Sequence, residues 1–222
     1  MSAQISSAQA SDRDRALALT PVSPEVAARL DKFVELLLQT QAHTNLIAPS
    51  TIPMVWTRHI ADSLQLLKLA PPNAKKWMDF GSGAGFPGLM IAAAVAEVPG
   101  ASVHLIESTK KKAAFLSEAA RHIGAPVKVH PVRIEDFVNN TTPLPDVVTA
   151  RALAPLDKLL AYAQPLLSRG VPAFFLKGQD VEAELTEASK SWSIDATLTP
   201  SLTDPRGRIV HVRGLKRRHS PR

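Results

Sequence analysis

The sequence predicts an α/β fold in which a mostly parallel sheet, covered by helices, follows a helical N-terminal extension. Three observations carry this expectation. The first seventy residues hold apolar positions at helical spacing, as in SPEVAARLDKFVELLLQ. Beyond Lys75 short apolar runs alternate with helical stretches, the pattern of strand–helix–strand units and hence of parallel strands. The stretch MDFGSGAGFPGLM, residues 78–90, sets four glycines between a strand pattern and an apolar helix, an arrangement that brings backbone amides up to a ligand.

Each element follows from local chemistry. Residues 1–20 lack the apolar region of a secretion signal, and Asp12 and Asp14 argue against a transit peptide, so a disordered lead-in is expected. The helical region spans 21–72. Ser23 caps its first helix, Pro24 takes the first helical position, and Val26, Leu30, Phe33, Leu37 and Leu38 form the apolar stripe. After the polar break TQAHTNLIAPST a second helix runs through PMVWTRHIADSLQLLKLA until Pro71 and Pro72 stop it. A Rossmann-like domain is expected over 73–214, with strands at KWMDF, SVHLIES, VKVHPVRI, PDVVTAR and VPAFFLK. Helices are expected at 89–98, KKAAFLSEAARHIG, 156–167 with a kink at Pro165, and VEAELTEASKSW. Strands near 194–198 and 208–213 bring the sheet to seven, and residues 215–222 read as a basic tail, solvated or touching phosphate.

Composition narrows the function. The chain has 222 residues and 45% apolar content, enough for one domain with a core. Its 26 Lys and Arg against 20 Asp and Glu leave a net charge of +6, which favours a polyanionic partner such as nucleic acid. The chain has no cysteine, which excludes disulfides, thiolate zinc sites and a Cys nucleophile and suits a cytoplasmic location. The seven histidines show no paired ligand spacing, so no metal is assigned. The longest charge-free apolar run, 89–96, is far shorter than the ~20 residues that cross a bilayer, so no membrane contact is expected. A monomer is expected.

The glycine loop points to a ligand class. Gly83, Gly85 and Gly88 satisfy G-x-G-x-x-G, and Glu107 follows about 20 residues on at a strand end, where ribose hydroxyls are held. Taken alone, that spacing suggests a dinucleotide. Gly81 and Asp79 point elsewhere, because a carboxylate at the strand end repels phosphate. A nucleoside that carries an ammonium group and no phosphate suits both acids, with Asp79 accepting from the amine directly or through water and Glu107 from the ribose. S-adenosylmethionine is such a ligand. In an open parallel sheet, ligands lie beyond the carboxyl ends of the strands, which nominates 81–86, Glu107, Ile134 with Glu135, Arg151 and Lys177. Arg151 is costly to bury unpaired and should meet a carboxylate or phosphate. Lys177 and Gly178 close an apolar strand where a contact with RNA suits the charge, although strand-terminal lysines are also ordinary.

MDFGSGAGFPGL, with NLIAPS and RHIADSL upstream and RALAPL and FFLKG downstream, resembles the bacterial RsmG family, once called glucose-inhibited division protein B. The resemblance runs from about Asn45 to the last strand, with its motifs in family order. It implies a class I S-adenosylmethionine-dependent methyltransferase acting on N7 of the guanine at nucleotide 527 of 16S ribosomal RNA, free or in the small subunit. It further implies that Gly81, Phe86, Ile134, Glu135 and Arg151 bind the cofactor, that Asn45 with Leu46 lies near the site, and that Arg58 and His59 line its entrance. Phe86 stands where the family often has leucine, and either covers an apolar face. Guanine N7 presents a bare lone pair, so no general base, and hence no catalytic residue, is assigned. Trp56 is either a base-stacking side chain or helix core, and Lys110 to Lys112 either a solvated face or an RNA contact. Two rival readings are a nicotinamide-dependent oxidoreductase, for which the Tyr-x-x-x-Lys pair is missing because Leu166 follows Tyr162, and a non-catalytic RNA-binding protein.

Overall fold

The computed structural model describes residues 7–218. Seven strands form one sheet: β1 (Lys76–Phe80), β2 (Ser102–Ile106), β3 (Val127–His130), β4 (Val147–Arg151), β5 (Ala173–Lys177), β6 (Trp192–Pro200) and β7 (Arg208–Arg217). Their order is β3-β2-β1-β4-β5-β7-β6, parallel from β3 to β5 and antiparallel where β7 joins β5 and β6. β1 pairs with both β2 and β4, so the winding reverses between these neighbours, and a crevice opens beyond their carboxyl ends.

The central strands are apolar at successive positions because both faces are covered. Their period of two divides the core. Trp77, Val103, Leu105 and Phe174 face one side; Met78, Phe80, Ile106, Val148 and Phe175 face the other. α2 (Pro24–Gln41), α4 (Gly88–Ala94) and α5 (Lys110–His122) cover the first face, with Phe33, Leu89 and Phe115 among their buried residues. α6 (Ile134–Val138), α7 (Leu156–Leu167) and α8 (Val181–Ser191) cover the second. Ser23 caps α2 by accepting from the Val26 amide at 3.4 Å, as its position before Pro24 predicts.

Several boundaries differ from expectation. The disordered lead-in is instead helix α1 over Ser7–Leu19; residues 1–6 lie outside the described residues. Its order comes from polar contacts to distant chain, which no local period announces. Buried Asp12 accepts from the amides of Trp56 at 2.8 Å and Thr57 at 3.2 Å and from the Thr57 hydroxyl at 2.6 Å, and Arg13 forks onto Asp31 at 2.7 and 2.8 Å. The second helix is a relay: 3₁₀ over Pro49–Met54, a π turn over Trp56–Ala61, α3 (Asp62–Leu64), and 3₁₀ over Gln65–Lys68. Asp12 holds the amides that open its π turn. β3 ends at His130, so Ile134 and Glu135 open α6 rather than close a strand. α4 stops at Ala94, four residues short of expectation. α7 contains Pro165 in its last turn. β7 runs on to Arg217, taking in the start of the expected tail, and residues 219–222 lie outside the described residues.

Replacing Asp12 with Ala leaves two amides and a hydroxyl without their buried acceptor. Asp12→Ala is expected to cost roughly 1–3 kcal/mol, read from the urea midpoint, and Arg13→Ala less, because its ion pair is partly exposed.

Candidate active site

A cavity of about 520 Å³ opens at the carboxyl edge of β1, β2 and β4, within the usual range for small-molecule sites. Its floor is the loop 81–84, and its walls are 106–109 after β2, 132–135 around the start of α6, and 151–153 after β4. Leu46, Ile47, Ala48 and His59 of the helical extension and Tyr162 of α7 complete it.

The glycines serve the protein's own packing as much as a ligand. Gly81 has φ +62°, and a Cβ there would collide with the Leu153 side chain; at Gly88 a Cβ would lie 2.8 Å from Asp79 Oδ2 and against Leu105. Gly83, also left-handed at φ +54°, has room for a Cβ and donates its amide to Glu107 Oε2 at 3.0 Å. The other Glu107 oxygen accepts from the Thr109 amide at 2.8 Å. Buried Glu107 therefore ties the β1 and β2 loops together and still has lone pairs that face the cavity.

Asp79 lies behind the loop. Fully buried and absent from the cavity wall, it accepts from the Thr149 hydroxyl at 2.8 Å and the Gly88 amide at 3.3 Å. Burial pushes its carboxyl up to about 7, only partly offset by those hydrogen bonds. Direct acceptance from a bound amine is therefore not the geometry found; any influence of Asp79 on the cavity is electrostatic.

Arg151 finds the carboxylate that its position demands. Its Nε lies 3.3 Å from Asp62 Oδ2, and its Nη2 donates to the Arg58 carbonyl at 2.9 Å and to His59 Nδ1 at 2.8 Å. The guanidinium also lies 5.8 Å from the centre of the Phe86 ring, on which His59 stacks at 4.8 Å. Burial pulls Arg151 below its usual range, with Asp62 opposing. Burial and then the charges of Arg151 and Arg58 hold His59 down at about 3, so its ring is neutral. Nδ1 is then the acceptor from Arg151, and Nε2 carries the hydrogen toward Thr51 Oγ1 at 2.8 Å.

Of the sequence candidates, the cavity gathers Gly81, Gly83, Phe86, Glu107, Ile134, Glu135, Arg151 and His59. Four lie elsewhere. Arg58 turns to Asp204 at 2.6 Å. Asp79 is behind the loop. Asn45 accepts from Gln41 at 3.3 Å while the next three residues line the wall, held by Gln41 Oε1, which accepts from the amides of Leu46 and Ile47. Lys177 turns to α8, pairing with Glu184 at 2.7 Å and donating to the Ala154 carbonyl at 3.0 Å. Trp56 is 2% exposed and belongs to the core, so it is not a stacking platform. Lys112 alone of its trio lines the cavity. The sequence nominated Leu46 with Asn45 but not Ile47, Ala48, Ala152, Leu153 or Tyr162; for the first four of these the signal within reach was adjacency to the Asn45–Leu46 pair and to Arg151. Ala152 adopts φ 51°, a strain that such sites often store.

The family model described as rRNA small subunit methyltransferase G matches residues 26–217. The chain belongs to this family. Ribosomal RNA small subunit methyltransferase G of Bradyrhizobium sp. strain BTAi1 is 58% identical over 208 residues, covering 94% of this chain and 93% of the relative. The protein of the same name from Nitrobacter hamburgensis is 57% identical over 212 residues, covering 96% and 81%. Among solved structures, the Bacillus cereus O-methyltransferase in complex with S-adenosylhomocysteine aligns at TM-score 0.58 with 15% identity, covering 94% of this chain and 99% of that one. A Streptomyces achromogenes O-methyltransferase of tomaymycin synthesis, in complex with S-adenosylmethionine, aligns at 0.59 with 12% identity over 92% and 96%. The chain thus has the class I methyltransferase fold, with the helical extension on its first sheet face.

The raised Asp79 has a signed consequence. Between pH 3.8 and 7 the native carboxyl keeps a proton that the unfolded chain has released, so this group's contribution to stability falls as pH rises through that window. Urea unfolding at pH 4 and pH 8 should show Asp79→Asn gaining on the order of a few kcal/mol relative to wild type between the two. An equal difference at both pH values contradicts the neutral carboxyl.

Proposed function

We propose that this chain methylates N7 of the guanine at nucleotide 527 of 16S ribosomal RNA in the cytoplasm, with S-adenosylmethionine held in the cavity over the glycine loop. Family membership supports the rRNA substrate, and the cavity suits the donor. Its floor is bare backbone, Glu107 keeps acceptor capacity for ribose hydroxyls, and Ile106, Ile134 and Leu153 offer apolar contact to a purine. Glu135 and Phe86 also line the cavity, and a cationic ligand above the loop draws Asp79, behind it, toward its ionised form.

When bound, S-adenosylmethionine would supply a sulfonium-activated methyl group, to whose carbon the N7 lone pair bonds in line as the carbon–sulfur bond breaks and its electron pair leaves on the sulfur of S-adenosylhomocysteine. The single observation that supports this chemistry best is that the one imidazole at the cavity among the described residues, His59, is neutral with both ring nitrogens already hydrogen-bonded. A nucleophile that carries no proton asks for no base, so the chain's work is to orient and to exclude water. Arg151, His59 and Phe86 form a rigid stack at the wall through which the acceptor base approaches.

The deciding assay gives the protein labelled methyl donor with naked 16S rRNA, small subunits and whole ribosomes, then maps the product. A methyl on N7 of nucleotide 527 is expected; a methyl on another base overturns the substrate assignment. In thermal shift, S-adenosylhomocysteine should stabilise the protein, whereas stabilisation by NADH instead favours the oxidoreductase and by neither a pure RNA binder. Gly81→Asp places a side chain against Leu153 and a charge at the cavity floor, and is expected to weaken S-adenosylhomocysteine binding roughly 100-fold or more by calorimetry. Unchanged affinity in a folded variant contradicts this placement of the donor.

A further inference from the structure

A second cavity, of about 250 Å³, shares Arg151 and Ala152 with the first as lining residues. It lies where β5 ends and β7 begins, Lys177 standing opposite Arg208 in the ladder. The loop between β6 and β7 closes it, latched to the helical extension. The Thr203 hydroxyl donates to Asp62 Oδ1 at 2.8 Å, the Leu202 amide to Gln65 Oε1 at 2.8 Å, and Arg58 Nη1 to Asp204 Oδ2 at 2.6 Å. These contacts join segments more than 130 residues apart, so the cavity is built by the fold rather than left as a surface crease.

Its charge is unbalanced. Arg58, Arg151, Lys177 and Arg208 line it against Asp62 and Asp204. Arg58 pairs with Asp204, Arg151 with Asp62 and Lys177 with Glu184. Arg208 meets only the carbonyls of Pro205 at 3.0 Å and Gly207 at 2.8 Å, and among the described residues it has no carboxylate partner. Those carbonyls aim the guanidinium without neutralising it. Arg151 Nη1, on the shared wall, is buried with no partner among the described residues.

We propose that this second cavity receives the acceptor nucleotide, its base against the Arg151–Ala152 wall and its phosphate on Arg208. The inference rests on the function proposed above and adds where the RNA is held. Arg151 and Ala152 border both cavities, so a base seated at that border can meet the donor methyl at the ~3–3.5 Å that direct transfer needs. The volume lies below the ~300 Å³ at which ordinary ligand sites begin, which admits one base and no duplex. The target must therefore enter unstacked. The uncompensated Arg208 supplies the phosphate contact that positions it.

Arg208→Gln is expected to raise KM for the RNA substrate about tenfold, with the loss falling on KM rather than kcat, while S-adenosylhomocysteine affinity by calorimetry matches wild type. Arg208→Lys, which keeps the charge, should recover most of that loss. The slope of log KM against log salt should shrink by about 0.7–0.9 in Arg208→Gln, the loss of one phosphate contact. Wild-type KM and salt slope in Arg208→Gln overturn the inference, and so does loss of S-adenosylhomocysteine binding in both variants, which makes Arg208 a structural support. A wild-type enzyme that transfers no methyl to rRNA sinks the proposed function itself. One that does, alongside an indistinguishable Arg208→Gln, sinks only the second cavity.

Discussion

The buried guanidinium of Arg151 is the constraint around which this molecule is arranged. A charge at the end of a central parallel strand is expensive to remove from water unless it is paired and hydrogen-bonded. β4 cannot supply the partners, because its neighbours at that level are other strand ends. The helical extension does, bringing Asp62, the Arg58 carbonyl and His59 Nδ1 onto one side chain. That requirement explains why the extension packs over the carboxyl edge, and why an irregular π turn is retained there: its carbonyl and ring positions serve Arg151. Asp12 of α1 in turn secures the first amides of the same turn.

The carboxylates of the loop region divide their work by depth. Glu107, at the wall, ties two loops through backbone amides and still faces the cavity. Asp79, one strand layer further in, is sealed against Thr149 and Gly88 with its proton held by burial. A cation arriving above the loop favours the ionised form of Asp79, so ligand charge and the protein's interior are coupled without contact. Gly81 and Gly88 are required because Leu153 at the one, and Leu105 and Asp79 at the other, occupy the space a side chain would need.

The solved methyltransferases at 12–15% identity share the sheet and its crevice, which belong to the fold in general. In this chain the flank of the crevice carries a second feature. The helical extension and the β6–β7 loop reach each other through Asp62, Gln65 and Arg58, and enclose a second hollow beside the first. On the function proposed above, a small basic cavity beside the first suits an enzyme that handles one base of a large polyanion rather than a free metabolite.

The sequence by itself determined the alternation of strands and helices, the capped helix at Ser23, the glycine loop and the strand-end positions of Glu107 and Arg151, because each is written in a local period or a near spacing. It also carried the family. Only the tertiary structure decided that residues 7–19 are helical, that Asp79 turns inward, that Lys177 serves α8, and that Tyr162, Leu153 and Arg208 stand at cavities. The first two depend on partners far along the chain, Trp56 for Asp12 at a separation of 44 residues and Thr149 for Asp79 at 70. A burial cost and a hydrogen-bond direction are properties of what surrounds a group, and the surroundings exist only once the chain has folded.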